Sequence, residues 1–219
     1  MEYHLTSEQK KFLDFLATKK LSSFYFTGGT ALSHFYLQHR FSEDLDFFSE
    51  EEFKTTDITT IIGEAKRALK FISFDFQQSF NRNIYQIAFP KEKFLKVEFT
   101  YYPFKQIERP ELHEGLLVDS LMDIAVNKVF TVTQQSRGRD YYDIFAIIKK
   151  TGWDFSDLLS RARIKFDWHI DYLQVGSQLL KVKTHLDDPI LSDTPITKES
   201  VIDFFAKESV HLGKNILKN

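Results

Sequence analysis

The sequence has no cysteine, no long apolar run and little net charge. Without cysteine, disulfide bonds and thiolate metal sites are excluded. No stretch approaches the roughly 20 apolar residues of a membrane span, and the start lacks the basic-then-apolar pattern of a signal peptide. We therefore expect a cytoplasmic protein with no membrane contact. Because the net charge is only −2, a nucleic-acid partner would need a local basic patch.

The rest of the composition is typical of a folded globular protein. Of the 219 residues, 42% are hydrophobic and 27% are charged. The first half contains predicted helices and strands, with the strands at 23–27, 44–48, 71–77, 83–89 and 94–102, whereas the second half shows helical periodicity. We predict an α+β fold in which a mixed sheet with flanking helices (1–115) precedes a C-terminal helical region (116–219). That region would pack on the core and complete the active site.

The first chemical signal lies in FYFTGGTALSHFYLQHRFSEDLDFF, residues 24–48. A strand runs into a glycine pair, and a helix is predicted to start near Thr30, where its free N–H groups could bind a phosphate. Asp44 and Asp46 follow in a second strand, whose alternation points both side chains to one face. Paired carboxylates of this kind can hold the divalent metal ions used in phosphoryl displacement. Alone, a glycine pair is most often an ordinary turn and an Asp-x-Asp pair a solvated edge, but together they indicate nucleotidyl transfer.

A later strand, FLKVEFT, repeats the alternation of apolar and polar residues. Lys96, Glu98 and Thr100 share the polar face. Glu98 is therefore a candidate third carboxylate, provided that its strand lies next to the strand of Asp44 and Asp46.

The glycine and aspartate segment closely resembles the first motif of the AbiEii-like toxins, bacterial nucleotidyltransferases of the DNA polymerase β-type superfamily. In that family a Gly-Gly-Thr/Ser stretch precedes a His-Arg-x-Ser-x-Asp-x-Asp block. The matching residues here are Gly28, Gly29, Thr30, His39, Arg40, Ser42, Asp44 and Asp46. The resemblance implies a nucleotidyltransferase-type sheet, nucleotide contacts by Gly28, Gly29, Thr30, Arg40 and Ser42, and Mg²⁺ or Mn²⁺ on Asp44, Asp46 and Glu98. The family usually has aspartate where this chain has Glu98.

Two later family motifs match residues in the predicted helical region. The family has a lysine on one helix and an Arg-Asp-x-x-Asp element on the next, which correspond to Lys128, Arg139, Asp140 and Asp143. Lys128 falls on an apolar helical stripe, so it either snorkels or points into a cleft toward nucleotide phosphates. Asp140 and Asp143 share a helix face, and one of them could pair with Lys128. By resemblance, Lys128 and both aspartates are catalytic, and Lys128 and Arg139 bind nucleotide.

The predicted activity is metal-dependent transfer of a nucleotidyl group from an NTP, with release of pyrophosphate. By resemblance the protein would be the toxin of a type IV toxin–antitoxin or abortive-infection pair, with the 3′ end of tRNA as acceptor and a cognate antitoxin as partner. Two alternatives remain open at this point. The acceptor could be a protein hydroxyl, or the change to Glu98 could leave a nucleotide-binding module without turnover.

Overall fold

The structure is a computed structural model that describes residues 5–19, 21–135, 137–186 and 196–216. The chain divides into two compact units, Met1–Leu121 and Met122–Asn219. Within the described ranges, no helix has the length and apolar character needed to cross a membrane.

The first unit contains a seven-stranded mixed sheet in the order β3-β4-β5-β2-β1-β7-β6. Its strands are β1 (Tyr25–Thr27), β2 (Leu45–Ser49), β3 (Ser73–Ser79), β4 (Arg82–Phe89), β5 (Lys93–Tyr101), β6 (Glu111–His113) and β7 (Leu116–Val118). The β1–β7 and β2–β5 pairs are parallel, and the other pairs are antiparallel. Its helices are α1 (Ser7–Ala17), α2 (Gly28–Ala31), which continues as a π-helical segment (Leu32–Leu37), and α3 (Thr55–Leu69).

One face of this sheet forms the apolar core of the unit. Alternation directs Phe47 of β2, Phe99 of β5 and Tyr85 of β4 to that face, where all three side chains are buried. The rings of Phe47 and Phe99 stack with centroids 5.1 Å apart. Helix α3 covers this face, since Thr59 Oγ1 lies 2.9 Å from Tyr85 Oη. The opposite face is therefore left for polar side chains.

The fold confirms the predicted strands and adds two that the sequence analysis missed. Strands β6 and β7 are three residues each, too short for alternation to reveal them. The helix predicted to start near Thr30 begins at Gly28 instead. Gly28 has a φ of +76°, so the chain turns directly from strand into helix at a residue with no side chain to strain.

The second unit is helical in its described parts, as predicted. It comprises α4 (Leu121–Gln134), α5 (Gly138–Thr151), α6 (Phe155–Lys165), α7 (Tyr172–Leu180), α8 (Val182–His185) and α9 (Lys198–Ile216). Phe205 lies at the centre of its aromatic core, with its ring centroid 5.0 Å from that of Tyr141 and 6.1 Å from that of Phe155. Helices α6 and α7 begin where Asp154 and Asp171 accept hydrogen bonds from free backbone N–H groups.

Candidate nucleotidyltransferase site

The polar face of the sheet brings the predicted carboxylates together. Strands β2 and β5 are parallel neighbours, and Asp46 lies directly opposite Glu98 in their register. Asp44 immediately precedes β2 and has the same side-chain parity as Asp46. Glu98 is buried, whereas Asp44 and Asp46 are partly exposed. The condition for a third carboxylate, that the two strands be neighbours, is therefore met.

Gly28 is required because the Asp46 side chain occupies the space where a Cβ would lie. A Cβ built at Gly28 would be 3.1 Å from Asp46 Cγ and closer still to Oδ2. Thr27, the residue before it, pairs with Asp46 across β1 and β2. The glycine turn and the aspartate motif are thus in direct contact, although Gly28 and Asp46 are 18 positions apart in the sequence.

The second glycine lies under the Arg40 and Ser42 side chains. A Cβ at Gly29 would be 2.5 Å from Arg40 Nη2 and 2.9 Å from Ser42 Oγ. Arg40 is buried, donates from Nη1 to the Phe41 carbonyl at 2.8 Å, and accepts a hydrogen bond on its own carbonyl from Ser33 Oγ. The predicted nucleotide-binding residues of the first motif therefore cluster around the glycine pair.

Thr30 organises the loop that carries Asp44. Its side chain is fully buried, and its hydroxyl donates to the Asp44 backbone carbonyl. Gln9 of α1 supports the same loop, with Nε2 donating to the carbonyls of Ser42 and Glu43 at 2.9 and 3.0 Å. These contacts fix the backbone from which the Asp44 carboxylate projects.

Basic side chains that the sequence analysis did not assign to the site contact these carboxylates. Arg82 Nε and Nη2 donate to the two oxygens of Glu98, each at 2.6 Å. Lys96 Nζ donates to Asp44 Oδ2 at 2.9 Å and lies 3.8 Å from Glu98 Oε2. Thr100 Oγ1 also donates to Glu98 Oε1, at 2.8 Å. Both oxygens of Glu98 are therefore already hydrogen-bonded.

The donor set suits a metal ion shared with a nucleotide. In the described segments, no group of three or more acidic, histidine or cysteine side chains is placed to hold a metal ion. Mg²⁺ is normally bound by one or two carboxylates together with substrate phosphates, rather than by a complete protein cage. Asp44 and Asp46 provide such hard oxygen donors on one edge of the polar face, so these residues fit the metal that the family motif implies.

In the second unit, Lys128 contacts both of the predicted aspartates. Its Nζ lies 2.8 Å from Asp140 Oδ1 and 2.8 Å from Asp143 Oδ2. Both carboxylates are fully buried, and Lys128 is nearly so. Arg137 joins the cluster, with Nε 3.0 Å from Asp140 Oδ2. Arg139 is half-buried one residue before Asp140.

This cluster keeps Asp140 ionised. Burial alone would raise the pKa of Asp140, but the positive charges of Lys128 and Arg137 outweigh burial, and the net pKa is lowered below the ordinary value of 3.8. Asp143 has a smaller, opposing effect because its like charge raises the pKa of Asp140. The cluster holds a lysine ammonium in a fixed position at neutral pH.

Comparison with known proteins identifies the family. A family model described as the nucleotidyl transferase AbiEii toxin of type IV toxin–antitoxin systems matches residues 14–208. The chain belongs to this AbiEii family. It is accordingly a nucleotidyltransferase, as the glycine and aspartate motif predicts.

Individual proteins resemble the chain in sequence or in fold. The chain is 27% identical over 213 residues to the uncharacterized protein aq_aa25 of Aquifex aeolicus (strain VF5), covering 93% of this chain and 95% of that protein. Its fold is similar to the crystal structure of JHP933 from Helicobacter pylori, with a TM-score of 0.65 and 18% identity over 98% of this chain and 95% of that one. This likeness concerns the fold, and it confirms the predicted α+β class.

For this AbiEii family member, the sequence held some information about Lys96 and Arg82, the two cations that the sequence analysis did not assign to the site. The alternation of β5 predicted Lys96 on the same polar face as Glu98, but it did not predict the contact of Lys96 with Asp44. Arg82 lies between the predicted strands at 71–77 and 83–89, and its proximity to Glu98 depends on the β4–β5 register, in which Arg82 lies opposite Thr100. That register is a tertiary feature that a single sequence does not specify.

Proposed function

We propose that the protein transfers a nucleotidyl group from an NTP to the 3′ end of tRNA, in a reaction that depends on Mg²⁺ or Mn²⁺. The observation that carries this proposal is the contact between the glycine turn and the acid face, by which we mean the carboxylates of Asp44, Asp46 and Glu98 on the polar face of the sheet. Gly28 adjoins the Asp46 carboxylate, and Asp46 lies opposite Glu98. A phosphate-binding turn beside metal-binding acids is the arrangement that nucleotidyl transfer requires.

In the first unit, we propose roles for the two aspartates, the glycine pair and Lys96. Asp44 and Asp46 hold the metal, and the backbone at Gly28 and Gly29 receives the NTP phosphates. A bound Mg²⁺ would neutralise charge on the α-phosphate and on the leaving pyrophosphate. Lys96, which already neutralises Asp44, balances charge on the same face. Catalysis of this kind depends on positioning and electrostatics rather than on a covalent intermediate.

In the second unit we propose that Lys128 and Arg139 contact nucleotide phosphates. Asp140 and Asp143 orient the Lys128 ammonium, which they hold from two sides at 2.8 Å. An ammonium fixed in this way is preorganised to stabilise phosphate charge without rearrangement during the reaction.

The biological role follows from the family. We propose that the protein acts in the cytoplasm as the toxin of a type IV toxin–antitoxin pair, whose partner is a cognate antitoxin. Modification of the tRNA 3′ end would block aminoacylation and therefore translation.

The test uses the full chain with Mg²⁺, each α-³²P-labelled NTP in turn, and total bacterial tRNA. Asp44→Asn and Asp46→Asn are the site variants. Asp75→Asn, at an exposed aspartate on β3 of the same sheet, is the matched control. We expect label on tRNA with the wild type and with Asp75→Asn, and none with either site variant.

Two other labelling results would revise or refute the proposal. Label that appears on added cellular protein but not on RNA would replace tRNA with a protein acceptor. Equal labelling of tRNA by the wild type and the Asp46→Asn variant would refute the role of the acid face.

A further inference from the structure

Arg82 lies among the carboxylates of the candidate site, although no family motif includes it. It begins β4, opposite Thr100 of β5, and therefore lies diagonally across from Glu98 on the polar face. Its bidentate hydrogen bonds join a side chain that is 48% exposed to one that is only 5% exposed. The buried carboxylate thus fixes a guanidinium at the solvent-accessible edge of the acid face.

The hydrogen bonds to Glu98 leave part of this guanidinium available. Nε and Nη2 donate to Glu98, and Nη1 makes no hydrogen bond in the described parts of the chain. The hydrogen bond to Glu98 raises the pKa of Arg82 above its ordinary value, and the charges of Asp46 and Asp44 add to the effect, so both aspartates lie within electrostatic reach. Arg82 therefore presents N–H donors close to the residues proposed to hold the metal.

The acid face also favours a cation that can reach a phosphate. Asp44, Asp46 and Glu98 contribute three carboxylates, which Lys96 and Arg82 contact on the polar face, while Arg40 lies beside Gly29. A nucleoside triphosphate brings several more negative charges, which the site must offset with cations. Lys96 is already held by Asp44, whereas Arg82 is half-exposed and has a planar fork of donors suited to phosphate oxygens.

We propose that Arg82 is a phosphate-binding residue of this site, positioned by Glu98, and that it contacts the triphosphate of the incoming nucleotide through Nη1. In this chain the third carboxylate acts as the anchor of a phosphate-binding arginine. The inference rests on the proposed nucleotidyl transfer and adds a substrate contact to it.

The test measures nucleotide binding and metal binding separately on the full chain. Nucleotide affinity is measured with a non-hydrolysable α,β-methylene NTP at saturating Mg²⁺, and metal affinity with Mn²⁺ alone by electron paramagnetic resonance. The variants are Arg82→Gln and Arg82→Lys. The matched control is Arg67→Gln, at an exposed arginine of α3 in the same unit. Thermal unfolding verifies that each variant is folded.

For Arg82→Gln we expect nucleotide affinity to fall about tenfold or more, the effect of one lost charge-assisted hydrogen bond. Mn²⁺ affinity should stay the same or rise, because a positive charge beside Asp44 and Asp46 has been removed. Arg82→Lys should lie between wild type and Arg82→Gln, since it keeps the charge but cannot serve Glu98 and a phosphate together. It also provides the test if Arg82→Gln does not fold. Arg67→Gln should match the wild type in both measurements.

Three results would overturn the inference or its basis. Equal losses of nucleotide and Mn²⁺ affinity in Arg82→Gln would mean that Arg82 only maintains the geometry of the acids. Unchanged nucleotide affinity in both Arg82 variants would mean that Arg82 does not touch the phosphates. A wild-type protein that binds Mn²⁺ but no nucleotide would instead refute the proposed function itself.

Discussion

A single methyl group added at Gly28 should disable the acid face without removing any polar group. The residue has a φ of +76°, which costs a residue with a Cβ about 1–2 kcal/mol. The new Cβ would also lie 3.1 Å from Asp46 Cγ and closer still to Oδ2, so the carboxylate must rotate away. With about 1–3 kcal/mol for overpacking, Gly28→Ala should lower the free energy of unfolding by about 2–5 kcal/mol.

Gly152→Ala is the matched control for this change. Gly152 has nearly the same φ, +74°, but nothing lies within 4 Å of an added Cβ. The control therefore isolates the backbone cost, about 1–2 kcal/mol. The difference between the two variants measures the displacement of Asp46.

Chemical denaturation gives the two free energies, and nucleotidyl transfer is measured where both variants are folded. We expect Gly28→Ala to lose about a hundredfold or more in rate, the usual effect of displacing a catalytic group by about 1 Å. Gly152→Ala should retain wild-type activity. If Gly28→Ala matched Gly152→Ala in stability and also kept full activity, the proposed dependence of Asp46 on the glycine turn would be refuted.

Two further predictions concern stability. Gly63→Ala, within α3 and with open space around the new Cβ, should raise the free energy of unfolding by about 0.5–1 kcal/mol, and a lower melting temperature would contradict this. Lys128→Met should destabilise the protein by about 3–5 kcal/mol at pH 7 by leaving Asp140 and Asp143 buried without their lysine. Because the pKa of Asp140 is lowered on folding, its stabilising contribution is complete above its ordinary pKa of 3.8 and is lost as the pH falls through the folded value. The deficit of Lys128→Met should therefore shrink once denaturation series that start at pH 7 pass below pH 3.8, and a deficit that does not change there would argue against the ion cluster.

The sequence predicts the structure best where the alternation of apolar and polar residues determines which face of a strand each side chain occupies. The period of two in β2 and β5 separates Phe47 and Phe99 from Asp46 and Glu98, and the structure confirms this division. In β2, buried side chains alternate with partly exposed ones, and in β5 the apolar residues share one buried face, so packing of that face fixes which side chains reach the other. The apolar pattern therefore predicted the acid face as well as the strands.

Contacts that depend on strand register or on distant segments could not be predicted from local alternation. The sequence places Arg82 just before the predicted strand at 83–89 and Glu98 in the next predicted strand, but the bidentate contact needs the offset that pairs Arg82 with Thr100. The shared helix face of Asp140 and Asp143 was predictable, yet contact of Lys128 with both requires the approach of α4 to α5. Such approaches are set by packing of the whole unit rather than by neighbouring residues.

The most direct test of nucleotidyl transfer is the fate of each phosphate of the NTP. Parallel reactions with tRNA would use the same NTP labelled at either the α- or the γ-phosphate, with pyrophosphate release measured in both. Transfer predicts that only the α-label enters RNA, with one pyrophosphate released for each label incorporated, and that Asp46→Asn abolishes both signals. Incorporation of the γ-label, or pyrophosphate release unaffected by Asp46→Asn, would contradict nucleotidyl transfer at the acid face.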